Sequence, residues 1–181
     1  APDLMSPYAF YQFWLNTADA DVIDRLKVFT FYTRAEIAEF AEKVEAEPFK
    51  REAQRALAEA VCSLVHGPEA ARDAIAASTA LFAGGDLTAL DARTLRQAID
   101  ELPNAPVAVG ATVAQLLVDT GAVKSLGEAR RAIAQGGVSL NNAKVDDEHR
   151  AIAADDALPG GVVVVRRGKK TLVGGVLDAA E

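Results

Sequence analysis

"KSLGEARRAIAQGGVSLNNAKV", residues 124–145, holds a helix start, a helix stop and a hairpin in one run. Ser125 and Glu128 have the three-residue spacing of a capping box, which predicts a helix opening at Leu126. At 100° per residue, Ala129, Ala132 and Ile133 share one face, while Arg130, Arg131 and Gln135 point away from it. Gly136 and Gly137 stop the helix, and "VSL" and "AKV" on either side of Asn141 and Asn142 predict a hairpin.

Working outward, "TVAQLLVDTGAV" upstream is a short helix ending at Gly121, and "VVVVRR" and "TLV" downstream are strand-like. Pro159, Gly160 and Gly161, then "RGKK", separate those strand-like pieces. Residues 112–181 are therefore expected to form two helices and a short antiparallel sheet, with a core thin enough to lean on its neighbours. The closing "VGGVLDAAE" receives no role. "LPNAPVAVG", with two prolines and little helical character, gives a linker at 104–111.

Residues 1–103 have a different texture: six helices and no credible strand. Ser6 and Pro7 supply a cap and a first-turn proline, and acids open "DADVIDRLKVF". Thr33 and Glu36 form a capping box, a helix runs from Pro48 to Gly67, Pro68 starts the next, and Asp91 caps "ARTLRQAIDEL". The fold class is α+β: a helical domain at 1–103, then a small mixed domain.

The 181 residues are half hydrophobic, enough for real cores, and no apolar run approaches the ~18 residues that a bilayer span needs. "APDLMSPYAF" lacks the basic start and apolar middle of a secretory signal. With one cysteine, Cys62, and two histidines, His66 and His149, neither a disulfide framework nor a His/Cys zinc site can be assembled. These features lead to the expectation of a cytoplasmic protein away from membranes.

The net charge of −7 is unevenly spread. Residues 1–105 hold 17 acids and 10 bases, whereas 106–181 hold nine of each. Eight of those nine bases are Lys124, Arg130, Arg131, Lys144, Arg166, Arg167, Lys169 and Lys170. An arbitrary Arg-Arg pair is ordinarily a solvated helix face. Here other cations surround it, and a phosphate backbone is held by several cations on one surface, each a weak, salt-sensitive contact.

"KSLGEARRAIAQGGVSLNNAKV" with "VVVVRRGKK" resembles the S-four-type RNA-binding domain. "SPYAFYQFWLNTADADVIDRLKVFTF" with "REAQRALAEAVCSLVHG" is similar to the helical domain of bacterial tyrosyl-tRNA synthetases, a family in which the two domains occur in this order. The resemblance implies tRNA binding, with the phosphate-gripping surface on Lys124, Ser125, Arg130, Arg131, Gln135 and Lys144. Arg166, Arg167, Lys169 and Lys170 form a weaker set. It implies contact with the anticodon arm and long variable arm of a tyrosine-type tRNA. Asn141-Asn142 stands where the family often has Asn-Gly. HIGH-like and KMSKS-like motifs do not occur: "VHGP" lacks a second histidine, and "LMSPY" and "VKSLG" lack paired lysines. The resemblance therefore implies a tRNA-binding part with no catalytic residue and no cofactor of its own. ATP and tyrosine would belong to a separate catalytic domain. Since the family dimerises through that domain, a monomer is expected.

The remaining candidates each have a plainer explanation. Asp19 and Asp21 are placed to accept from a guanine edge, or simply to stabilise a helix N-terminus, which is preferred. Arg51 and Arg55 lie one turn apart where an anticodon stem is within reach, though Glu59 makes Arg55 an ordinary surface pair. Cys62 and His66 share a helix turn without a third group, so no nucleophile–base pair is assigned. Eight of the eleven aromatics precede residue 33; core packing is preferred over base stacking, with some exposed enough to limit solubility. The competing function is a stand-alone, ribosome-associated RNA-binding protein using the same module, which leaves the helical half unexplained.

Overall fold

The computed structural model describes residues 5–178. The chain divides into two compact units, residues 1–76 and 77–181. The expected division at 103–104 therefore falls inside the second unit.

The first unit is helical. Ser6 Oγ accepts from the Ala9 N–H to open α1 (Pro7–Leu15), and α2 spans Asp19–Phe29. The Thr33–Glu36 capping box launches α3 (Arg34–Ala46). The helix expected from Pro48 starts later. Residues Pro48–Lys50 form a single 3-10 turn, Arg51 takes a left-handed conformation (φ 53°), and α4 runs Glu52–His66. Val22, Leu26, Ile37, Ala53, Leu57 and Val61 form the core. Trp14 collects edge contacts from Phe13 and Phe29, at centroid distances of 5.7 and 5.1 Å, so these aromatics pack on one another. Phe31, 95% exposed, does not. Helix α5 (Pro68–Ala83) runs across the boundary between the units.

The second unit contains α6 (Ala92–Asp100), β1 (Asn104–Val107), α7 (Val113–Asp119), α8 (Leu126–Ala134), β2 (Val138–Leu140), β3 (Ala143–Lys144), β4 (Val162–Arg167) and β5 (Thr171–Leu177). The strands form one sheet, ordered β1-β5-β4-β2-β3. Two expectations need correcting. The supposed linker at 104–111 contributes β1, which pairs parallel with β5, so the sheet is mixed rather than purely antiparallel. As an edge strand β1 accommodates Pro106, whose missing N–H is least costly there. The tail given no role supplies most of β5, the second strand of the sheet.

Strands β4 and β5 are buried from Val162 to Val165 and from Leu172 to Gly175, without alternation, because both faces are covered. Gly174 and Gly175 face opposite sides. A methyl at Gly174 would come within 2.8 Å of Ile99 on α6; one at Gly175 would meet Leu116 on α7 at 3.0 Å. The two glycines let a helix approach each face. The resulting core, including Leu116, Leu117, Ile133, Leu140, Ile152 and Val163, is substantial rather than thin. Among the described residues, no helix is long and apolar enough to cross a membrane.

Candidate nucleic-acid interface

Helix α8 organises the candidate surface. Ser125 Oγ accepts from the Glu128 N–H at 3.1 Å, capping the helix start. The Glu128 carboxylate reaches one residue further back than a standard capping box, accepting from the Lys124 backbone N–H at 3.0 Å. At the other end, Gly136 N–H bonds Ile133 O and Gly137 N–H bonds Ala132 O, with Gly136 left-handed at φ 75°. That pair of bonds is a complete Schellman stop.

Arg131 is exposed; its Nη1 lies 3.3 Å from where a methyl on Gly127 would sit, so the guanidinium folds back toward the helix start. Lys124 and Gln135 are also exposed. Arg130 departs from expectation. It is half-buried, and its Nε is shielded from solvent without a hydrogen-bond partner. Position 130 borders the stripe of Ala129 and Ile133 on the helix.

The hairpin after α8 closes through Asn141 (φ 50°) and Asn142 (φ 67°), the two left-handed residues that a two-residue type I′ loop requires. The Asn-Asn pair thus keeps the hairpin, and it also anchors it. Asn141 bonds Asp156 O and the Val164 N–H, while Asn142 Nδ2 donates to Ala80 O and Gly85 O. Lys144, on β3, rests over the α8 stop, since a methyl at Gly136 would lie 3.1 Å from its Nζ. A cation there also complements the helix C-terminus. Its nearest acid, Asp146, is 3.9 Å away.

The four cations of "RRGKK" separate into two kinds. Arg166 donates to Leu81 O and Lys169 O, and Arg167 donates to Ala122 O at 3.1 Å and to Glu128 at 3.2 Å. Both arginines are half-buried and engaged in holding the unit together. Lys169 and Lys170, in the β4–β5 turn, are exposed, and neither forms an ion pair among the described residues. The ninth base of this region, Arg150, is paired with Asp156 at 2.8 Å. The bond of Arg166 to Leu81 and both bonds of Arg167 depend on long-range partners that no local spacing reveals.

The Lys124 backbone N–H, and then the charges of Arg167, Lys124 and Arg131, hold the Glu128 carboxyl below the usual glutamate value. A folded-state value below the unfolded one gives stability that is present above about pH 4.3 and lost as pH falls through the folded value. Glu128→Gln is therefore expected to flatten the acid limb of thermal stability below that pH, while its amide oxygen still accepts from Lys124. Melts followed by circular dichroism between pH 3 and pH 7 check this; an unaltered acid limb counts against it.

In the first unit, the candidates sit in an internal network. Arg51 Nη2 donates to Leu15 O and Thr17 O, both at 2.9 Å, and Gln54 Nε2 donates to Asp19 Oδ1 at 2.7 Å. Arg51 Nη1 stands 3.7 Å from the same carboxylate. Asp19 and Arg51 thereby bind the α1–α2 turn to the start of α4. Asp21 and Arg55 are exposed, and no ion pair joins Arg55 to Glu59 among the described residues. Cys62 is buried, with burial raising its thiol pKa, and His66 stacks edgewise on Phe10 at 5.0 Å.

Two family models match the chain, one in each part of it. The Tyrosine–tRNA ligase SYY-like C-terminal domain matches residues 94–173, and the tRNA synthetases class I (W and Y) family matches residues 1–83. The tyrosine–tRNA ligase of Leifsonia xyli subsp. xyli is 62% identical over 174 residues, covering 96% of this chain and 39% of its own length. That of Kineococcus radiotolerans is 50% identical over 172 residues, covering 94% and 41%. That of Thermobifida fusca is 47% identical over 182 residues, covering 97% and 41%. The chain spans about two fifths of the length of these curated relatives. With both stretches matched in the order that the residues suggest, the chain belongs to the tyrosyl-tRNA synthetase family and corresponds to the C-terminal portion of its members.

Proposed function

We propose that this chain is the tRNA-holding part of a tyrosine–tRNA ligase. It positions a tyrosine-type tRNA while ATP and tyrosine are handled by a catalytic domain outside these 181 residues. The observation that carries the reading is the set of exposed cations around one capped helix: Lys124 before it, Arg131 along it, Lys144 over its stop and Lys169 and Lys170 beside it. A spaced set of cations suits a phosphate backbone, which contributes affinity and register without reading sequence. Ser125 and Gln135 add neutral hydrogen-bonding groups to that surface. Arg130 takes a secondary place because its guanidinium is partly shielded. Arg166 and Arg167 are tied to protein partners, so they add less free charge to the surface than the lysines do.

The reading extends to the long variable arm and the anticodon arm. The first is assigned to the α8 surface. For the second, exposed Asp21 and Arg55 are better placed than Asp19 and Arg51, whose groups already serve the α1–α2 turn. The setting proposed is cytoplasmic, and the 181-residue piece itself is proposed to be monomeric.

The test is binding of tyrosine-type tRNA at stated salt, with and without its long variable arm, against ribosomal RNA as competitor. Shortening the arm is expected to weaken binding about tenfold, equivalent to about 1.4 kcal/mol. Indifference to the arm would remove that assignment, and preference for the competitor would remove the ligase reading of the surface.

A further inference from the structure

A cleft of about 510 Å³ opens where the C-terminal turn of α8 meets the β4–β5 turn. Its volume falls within the ~300–1,000 Å³ of small-molecule pockets. Gln135, Gly137, Arg167, Gly168, Lys169 and Lys170 line it. We propose that it receives one unpaired nucleotide of the bound RNA: its base edge against Gln135, its face on Arg167, its phosphate between Lys169 and Lys170. This rests on the RNA-binding reading above and goes beyond it, because backbone contacts alone carry no base preference.

Three features argue for a nucleotide rather than a bare phosphate. First, Gln135 closes α8 as its C-cap residue, so its backbone is fixed while its side chain stays exposed. A primary amide offers a donor and an acceptor side by side, the pattern that pairs with the N6 and N7 edge of adenine. Second, both terminal nitrogens of Arg167 are engaged, one by Ala122 O and one by Glu128. A guanidinium held in that way presents a fixed plane, and unstacked bases settle on such planes. Third, one wall is glycine backbone: Gly168 N–H donates to Gly137 O at 2.8 Å, joining the two turns with no side chain projecting from either residue. Flat, side-chain-free backbone lets a ring approach closely. The exposed ammonium groups of Lys169 and Lys170 then stand at the rim, where a phosphate attached to that ring would lie.

The experiment titrates the ¹⁵N-labelled 181-residue chain with AMP, GMP, CMP and UMP, and separately with inorganic phosphate and with adenosine. AMP is expected to shift the Gln135 side-chain amide together with the Gly137 and Gly168 backbone amides, binding at least about fivefold tighter than the other monophosphates. Phosphate alone shifts only the Lys169–Lys170 turn, and adenosine moves Gln135 more weakly than AMP does. Gln135→Ala abolishes the preference for AMP, and Lys169→Ala with Lys170→Ala weakens AMP at least about fivefold. If all four monophosphates and phosphate give one common pattern, or none moves Gln135, the nucleotide site is overturned. Binding of tyrosine-type tRNA, measured alongside, tells the two failures apart. Intact tRNA binding with no AMP preference overturns only the cleft, whereas absent tRNA binding overturns the RNA reading beneath it.

Discussion

Arg131→Glu combined with Lys144→Glu is expected to weaken tRNA binding by about two orders of magnitude at 0.1 M salt and to flatten its salt dependence. The choice follows from what each cation already does. Arg166 and Arg167 each donate to backbone carbonyls, so replacing them would confuse lost folding with lost binding. Arg130 is half-shielded. Arg131 is exposed and close to no acid within ion-pair distance among the described residues, and Lys144 has only a loose partner at 3.9 Å. Each phosphate that is no longer neutralised takes about 0.7–0.9 from the slope of log affinity against log salt, so two such phosphates take about 1.4–1.8. Reversal adds repulsion to that loss, which is why the expected effect exceeds simple neutralisation. Binding curves at four salt concentrations, with a melting curve for each protein, give the answer. An unchanged slope with an intact melt would mean that these two side chains do not touch phosphate.

Gly175→Val is expected to unfold the second unit, or to destabilise it by about 3 kcal/mol or more, at the upper end of core overpacking. A methyl at Gly175 alone would meet Val163 Cγ2 at 2.8 Å, Leu116 Cδ2 at 3.0 Å and Val107 Cγ1 at 3.3 Å. Those three neighbours come from β4, α7 and β1, so relieving one clash pushes on another. Valine adds two more carbons to the same space. Gly127→Ala provides the contrast. Its added methyl meets the mobile end of Arg131 at 3.3 Å, and the guanidinium has solvent to move into. Chemical denaturation of both variants compares them directly; a Gly175→Val protein as stable as the parent would show that the sheet–helix layers are looser than these distances require.

The helices were legible because their ends are chemically marked. Ser6, Thr33, Asp91, Thr112 and Ser125 each accept from a backbone N–H three residues on, and a local rule recognises that pattern. Strand β1 was not legible, because Pro103 and Pro106 read as linker punctuation and its pairing partner lies seventy residues away. Strand β5 was legible only over its first residues, "TLV"; its continuation was hidden because Gly174 and Gly175 look like a loose tail until Ile99 and Leu116 are seen filling their places. Within the candidate surface, sequence spacing found the cations but not their obligations. Nothing near Arg167 in the chain announces Ala122 or Glu128 as its partners. Arg130 is half-buried where helical geometry alone turns it outward, with its Nε shielded from solvent.

The position of β5 between β1 and β4 has a bearing on biosynthesis. A ribosome makes a chain in the N- to C-terminal direction, and domains made early ordinarily settle first. The helices of residues 1–76 can do so while translation continues. The sheet cannot, because the strand that joins β1 to β4 emerges only at residues 171–177. Until then the valines of β4 have an unmatched flank, so a nascent chain stalled before that point would expose sticky hydrogen-bonding edge and be a natural client for chaperones.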